Sequence, residues 1–149
     1  MKKTKEEAEE TRNSIMKAAI KIFSQKGYDS TTIVDIANEA GLTRGAVYWH
    51  FKDKGDLFLK LNGEYGHGFV FDLVEQVAND NTISAKDKIR FGLGKYFELL
   101  ETNENFRALE EIASKMFTSS DSKVKLYFAN EINEMNCGAG MSVIKKIIE

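Results

Sequence analysis

Apolar residues return every three or four positions along almost the whole chain, and no segment shows the strict alternation of a half-buried strand. That periodicity directs the chain toward packed helices. Composition supports it at one point. Average usage would place ~7 prolines in a chain this long, and there are none. Proline is rare inside helices, so its absence favours an all-α architecture. The 149 residues suit one domain or two small ones. No apolar run approaches the ~18 residues of a membrane span. The N-terminal MKKTKEEAEE lacks the apolar stretch of a signal peptide. The expected location is therefore the cytoplasm, with no membrane partner. The single cysteine, Cys137, cannot form an internal disulfide and reads as a small buried hydrophobe.

Local signals divide the chain into helices. Thr4 and Glu7 form a capping-box pattern. Behind it Ile15, Ala18, Ala19, Ile22 and Phe23 share one helical face, and Gly27 is expected to end the helix as a left-handed cap. Tyr28 to Thr31 read as a turn. Thr32 and Asp35 cap a second helix carrying Ile33, Ile36, Ala37 and Ala40, stopped by Gly41. Thr43 caps a third, with Val47 and Phe51 inward. Asp53 and Asp56 open a fourth, predicted to run through Leu57, Leu61, Tyr65, Phe69, Leu73 and Val77 to the Asn79–Thr82 loop. A fifth follows Ser84/Asp87 with Ile89, Leu93, Tyr96, Phe97 and Leu100 as its inner stripe. A sixth carries Phe106, Leu109, Ile112, Ala113, Met116 and Phe117. A seventh carries Val124, Tyr127, Phe128, Ile132 and Met135, continuing toward Val143, Ile144, Ile147 and Ile148. The stripe stops at Glu149 with no capping signal, and further helices are expected downstream.

Thr32 to Phe51, TIVDIANEAGLTRGAVYWHF, places two short helices around a tight turn containing Gly41. This is the helix-turn-helix plan, whose second helix enters the DNA major groove. Ile33, Ala37, Leu42 and Val47 can pack the pair together, which turns Thr43, Arg44, Gly45, Tyr48, Trp49 and His50 outward. Arg44 suits a guanine edge or a phosphate. Thr43 suits a base edge or phosphate. Gly45 permits close backbone approach. Tyr48, Trp49 and His50 add donors and apolar surface. Thr31, Thr32 and Lys54 are placed for flanking phosphates. Charge agrees weakly: residues 1–60 hold 11 Lys/Arg against 9 Asp/Glu, while the rest of the chain is net acidic. Lys2, Lys3 and Lys5 read as a solvated tail.

The string TRNSIMKAAIKIFSQKGYDSTTIVDIANEAGLTRGAVYWHFKDKGDLF strongly resembles the DNA-binding domain of TetR-family repressors. KTKEEAEETR and TRGAVYWHFKDK look most like the branch that controls multidrug efflux. The resemblance covers residues 3–61. It implies an all-α protein: a three-helix helix-turn-helix domain over 9–69 (motif 32–51), then a truncated helical effector-binding and dimerisation domain over 70–149. It also implies DNA contacts at Thr32, Thr43, Arg44, Gly45, Tyr48, Trp49, His50 and Lys54. The implied partners are near-palindromic operator DNA, a small hydrophobic effector and, in the full-length family form, a second copy. The implied function is repression of an efflux or transport operon and of the chain's own gene, relieved by the effector. The alternatives are regulation or activation of other genes, or an effector-binding helical protein that has lost operator binding.

Aromatics at helical spacing are usually core, but Phe69, Phe91, Tyr96, Phe97, Phe117, Tyr127 and Phe128 are candidates for an apolar effector pocket. Gly63, Gly66 and Gly68 soften the fourth helix at ~1 kcal/mol each relative to alanine, making it a candidate hinge. Glu64-x-x-His67 has the spacing of a di-iron ligand pair but stands alone. Gly92-Leu-Gly94 and Gly138-Ala-Gly140 lack a preceding strand and a third glycine. No catalytic constellation, metal site or cofactor is expected, and hence no enzyme.

Overall fold

The computed structural model describes residues 4–66, 76–78, 80–116, 120–126 and 129. Among these, every regular element is helical. Helix α1 spans Lys5–Lys26, α2 Ile33–Glu39, α3 Arg44–His50, α4 Lys54–Tyr65, α5 Ala85–Thr102 and α6 Glu104–Met116.

The caps explain where the helices start. The first backbone N–H groups of a helix lack partners inside it, so a side-chain oxygen supplies one. Thr4 accepts from the Glu7 N–H while the Glu7 carboxylate accepts from the Thr4 N–H, closing the expected box. Thr32 and Asp35 do the same for α2. Thr43, Asp53 and Ser84 accept from the N–H groups of Ala46, Asp56 and Asp87. Gly27 departs from its expected cap. Its φ of 77° is positive, but its ψ of 158° is extended, so the chain leaves α1 straight into the turn instead of curling left-handed. Gly41, with φ 67°, makes the tight turn between α2 and α3. There the Leu42 N–H reaches the Ala37 carbonyl at 2.8 Å.

Burial joins α1–α4 around one centre. Ile15, Ala19 and Phe23 of α1, Ile36 and Ala37 of α2, Val47 of α3, Phe51, and Leu57, Phe58 and Leu61 of α4 are all buried. Phe23, Tyr28 and Phe58 form a closed aromatic trio with centroids 5.3–5.8 Å apart. Such pairs are worth ~0.5–1.5 kcal/mol each beyond their burial. The Arg12 guanidinium of α1 meets the Glu64 carboxylate of α4 and lies over the Phe51 ring. The same core continues into the second half: Leu109, Ile112 and Ala113 of α6 and Val124 pack into it.

Two further expectations fail here. Helix α4 stops at Tyr65, not near Val77, because the chain turns at Gly66. A Cβ on Gly66 would stand 2.5 Å from Asn62 Oδ1 and 3.0 Å from the Asn62 carbonyl oxygen. The hinge candidate therefore becomes a helix end at Gly66; Gly63 lies on an exposed helical face, and Gly68 lies outside the described residues. The second failure is the α5 stripe. Ile89, Leu93 and Phe97 are exposed, while Leu99 is buried and Tyr96 and Leu100 are partly buried with Phe106. Spacing groups residues on a face, but it does not say which face meets a neighbour. Lys88, near the start of α5, is buried and donates to the Ala78 carbonyl. Met116 lies within α6 as expected, but its side-chain placement is outside the description. Phe71, Leu73, His67 and Cys137, the glycine pair at 138 and 140, and the apolar run from Ile132 onward also lie outside it.

Two stability measurements follow from this architecture. Gly63→Ala adds helix propensity on an exposed face and should stabilise by up to ~1 kcal/mol. Gly66→Ala forces a contact and should destabilise by ~1–3 kcal/mol. Urea unfolding of both variants checks the contrast in sign. The second measurement is acid stability. Lys26 and Thr32 hold the Asp35 carboxyl well below its ordinary range. Lys123 and the Asp56 N–H lower that of Asp53. A depressed folded pKa gives stability that is present above the unfolded value of ~3.9 and lost as pH falls below it. The melting temperature should therefore decline below about pH 4. Asp53→Asn, which still caps α4, should show a shallower decline than the parent.

Candidate nucleic-acid interface

Helix α3 is fixed by a few inward residues. Val47 is fully buried, and Phe51, one turn on, is buried as well. Gly41 and the Leu42–Ala37 bond set the angle from α2. With Val47 inward, Thr43, Arg44, Gly45, Tyr48 and Trp49 are exposed, and His50 is half-buried.

The exposed side chains are arranged among themselves. The Arg44 guanidinium lies 5.1 Å above the Tyr48 ring and donates to the Tyr48 hydroxyl at 3.3 Å. That leaves most of its five N–H donors outward. Several other cations of the head are paired: Lys21 with Glu39, Lys26 with Asp35, and Lys60 with Asp56. Among the described residues near α3, Arg44 and Lys52 have no ion pair with a carboxylate; on α1, neither do Lys5 and Lys17. Lys52 is exposed just beyond α3. Sequence reading passed it over because it lies outside the helix, although its place between the third and fourth helices was the available signal.

Trp49 is 73% exposed, with its ring edge-on to His50 at 4.6 Å. Indole is the largest apolar side chain, and its exposure contributes nothing to folding. Gly45 follows the same logic. A Cβ there would meet only Thr43 Oγ1, at 3.8 Å, so the fold does not require a glycine at this position.

Two of the candidate residues face inward instead. Thr31 is 2% exposed, and its hydroxyl donates to the Gly27 carbonyl at 2.7 Å. Lys54 Nζ donates to the carbonyls of Tyr28, Thr31 and Asp29 at 2.7, 2.9 and 3.3 Å, and sits 4.3 Å from the Tyr28 ring centroid. Its three donors are thereby used, and burial lowers its pKa. Both residues hold the turn that precedes α2. Neither is presented to a phosphate. Thr32 remains exposed, its hydroxyl engaged with Asp35 in the cap.

The pocket candidates are placed less coherently. Phe91 and Phe97 are exposed. Tyr96 packs edge-on to Phe106 with centroids 5.5 Å apart and donates to Glu110 at 3.0 Å. Phe91 borders a shallow depression with Arg90 and Lys95. Phe69, Phe117, Tyr127 and Phe128 lie outside the described residues. A more enclosed cavity of about 320 Å³ sits elsewhere, between the end of α1, the following turn and α6. No helix among the described residues is long and apolar enough to cross a membrane.

Residues 15–61, from Ile15 in α1 to Leu61 in α4, match the model of the bacterial regulatory proteins of the tetR family. The HTH-type transcriptional regulator AcrR of Shigella flexneri is 57% identical over 60 residues, covering 40% of this chain and 28% of that protein. The HTH-type transcriptional regulator TtgR of Pseudomonas putida is 30% identical over 143 residues, covering 96% of this chain and 68% of that protein. Among solved structures, a SmeT–triclosan complex superposes with a TM-score of 0.71 at 29% identity, over 82% of this chain and 58% of that one. The chain thus spans only part of the length of the proteins it matches. These relatives are regulators of transcription and not enzymes. Likeness to TtgR extends through both halves, and the family model falls on the four helices that build the exposed α3 face: the chain belongs to the TetR family of bacterial transcriptional regulators.

Proposed function

We propose that this chain is an effector-released transcriptional repressor that reads operator DNA with α3. The observation that carries the reading is the outward face of α3. It combines a preorganised Arg44–Tyr48 pair, a tryptophan exposed without benefit to the fold, and a glycine that the fold does not require. Residues 9–69 form the reading head and 70–149 the effector-binding and dimerisation part. Arg44 reads a guanine edge or clamps a phosphate. Thr32, Thr43, Tyr48, His50 and the newly recognised Lys52 contact the backbone. Gly45 admits the duplex closely, and Trp49 covers sugar and base edges. Thr31 and Lys54 act from inside, by holding the turn before α2.

The regulated genes are inferred from relatives. Among them are a probable acrEF/envCD operon repressor of Escherichia coli, 51% identical over 57 residues, and TtgR. The SmeT–triclosan complex supports a small lipophilic effector, which this reading assigns to the helical second half. We infer control of an efflux or transport operon and of the chain's own gene. Two copies would set their α3 helices into successive major grooves ~34–36 Å apart on a near-palindrome. The effector would favour the form with the wrong spacing, and its differential affinity would shift the population.

The test is a footprint titrated on the DNA upstream of the chain's own gene. Two protected half-sites related by near-palindromy are expected; uniform, salt-labile protection without boundaries would overturn sequence-specific reading. Arg44→Ala should weaken specific binding by ~1–3 kcal/mol, relax base preference at one position and lower the salt slope by about one. The single tryptophan provides a second readout: its emission should change on adding specific duplex, with a midpoint matching the footprint.

A further inference from the structure

The turn over residues 28–31 launches α2, and it is gripped from two sides. Lys54 holds its carbonyls from within the head. From the other side comes the segment that follows α6. The Ser120 N–H and hydroxyl donate to the Asp29 carboxylate, both at 3.3 Å. The Tyr28 hydroxyl donates to Asp121 Oδ2 at 2.6 Å. The other oxygen of Asp121 accepts from the backbone N–H groups of Lys123 and Val124, capping the helical turn over 122–126. Lys123 pairs with Asp53, the cap of α4, and Val124 is fully buried in the shared core. Asp121 is therefore rigid with respect to its own helical turn and bonded to the ring that stacks on Phe23 and Phe58.

We propose that Ser120 and Asp121 are positioning residues for the reading head. Through Tyr28 and Asp29 they fix the turn that sets α2 and, through α2, the angle of α3. This makes a second seat of coupling between the two halves, at the start of α4 and the turn before α2 and apart from the C-terminal end of α4 at Tyr65. The physical reason is short reach. Asp29 lies three residues before the Thr32 cap, whereas the end of α4 lies a helix length away from it. A movement of the 120–124 segment must either break the Tyr28–Asp121 bond or carry the turn with it. Coupling through an element with two discrete arrangements needs such a contact. The DNA part of the inference rests on reading α3 as the recognition helix; the mechanical part does not.

Backbone hydrogen exchange on the full chain tests the mechanical part without DNA. Asp121→Asn keeps a capping side chain, and Tyr28→Phe keeps the ring. Each should raise exchange in residues 28–39 and 44–50 by about 5-fold or more, the lower end of typical intersite coupling. The double variant should add little to either single one. Tyr96→Phe removes a comparable tyrosine–carboxylate bond to Glu110 and should leave the head unchanged. Unchanged exchange in the head of both single variants overturns the proposal. So does a uniform rise that includes Ile15–Phe23 and Leu57–Leu61, since it would mark a merely structural bond. On the footprinted DNA, Asp121→Asn should weaken specific binding about 5-fold or more with the salt slope unchanged. A reduced slope would mean a lost phosphate contact and would also overturn it. If the parent chain binds no specific site, the functional reading fails while the exchange result stands by itself.

Discussion

One ammonium organises the joint on which the head depends. Lys54 sits at the first position of α4 with its three donors on the carbonyls of a single turn. Those carbonyls lie in the turn after α1, where the Thr31 N–H serves only that of Tyr28, and the part-buried ones would be costly to leave unmet. By meeting them, Lys54 ties the start of α4 to the start of α2. The Tyr28 ring packs beneath the ammonium and passes the constraint to Phe23 and Phe58. Burial lowers the pKa of the lysine and raises that of Tyr28, which the bond to Asp121 raises further. The joint is thus a partly dry polar cluster whose members depend on each other, the kind of network in which removing one partner strands the rest.

What could be read from sequence was what short range decides. Thr4, Thr32, Thr43, Asp53 and Ser84 cap their helices because each cap needs only its own side chain and an N–H two or three residues on. The inward roles of Val47 and Phe51 and the outward face of α3 followed from the turn at Gly41 together with helical spacing. The misreadings share another cause. Thr31 and Lys54 carry hydroxyl and ammonium groups that suit a phosphate equally well, and only tertiary structure reveals that carbonyls claim them first. The same holds for the α5 stripe: Ile89, Leu93 and Phe97 share a face, but the described neighbours pack on the side of Leu99. The end of α4 was misplaced because the apolar i+4 series continues past Gly66, whereas the backbone leaves helical geometry at that residue, in a conformation where a Cβ would crowd Asn62.

The electrostatics of the head sharpen the functional reading. Several of its cations are neutralised by carboxylates, while Arg44 and Lys52 lie together at the α3 end of the motif. Net charge alone carried almost no information, since the first 60 residues hold only two more basic than acidic groups. What matters is that pairing removes Lys21, Lys26 and Lys60 from the outside field. Arg44 and Lys52 are left to face it. A local cationic patch beside an exposed indole suits a polyanion that also has apolar edges, which describes a duplex groove more closely than an acidic protein surface.

Coupling between the halves then becomes a question of which contact is shortest in mechanical terms. Helix α4 joins the head to the rest of the chain covalently, yet it ends at Tyr65 and its C-terminal part meets the head through Arg12 and Glu64, at the far end of α1 from the turn. Segment 120–124 instead touches the turn itself, the α4 cap and the common core within five residues. A displacement in the second half that reaches α4 must bend a helix before it tilts α3. One that reaches Asp121 acts directly on the residues that decide where α2 begins. Two helices of seven residues each move as short rigid rods, each seated by only a few buried side chains, so a shift of the turn that launches α2 is passed on to α3.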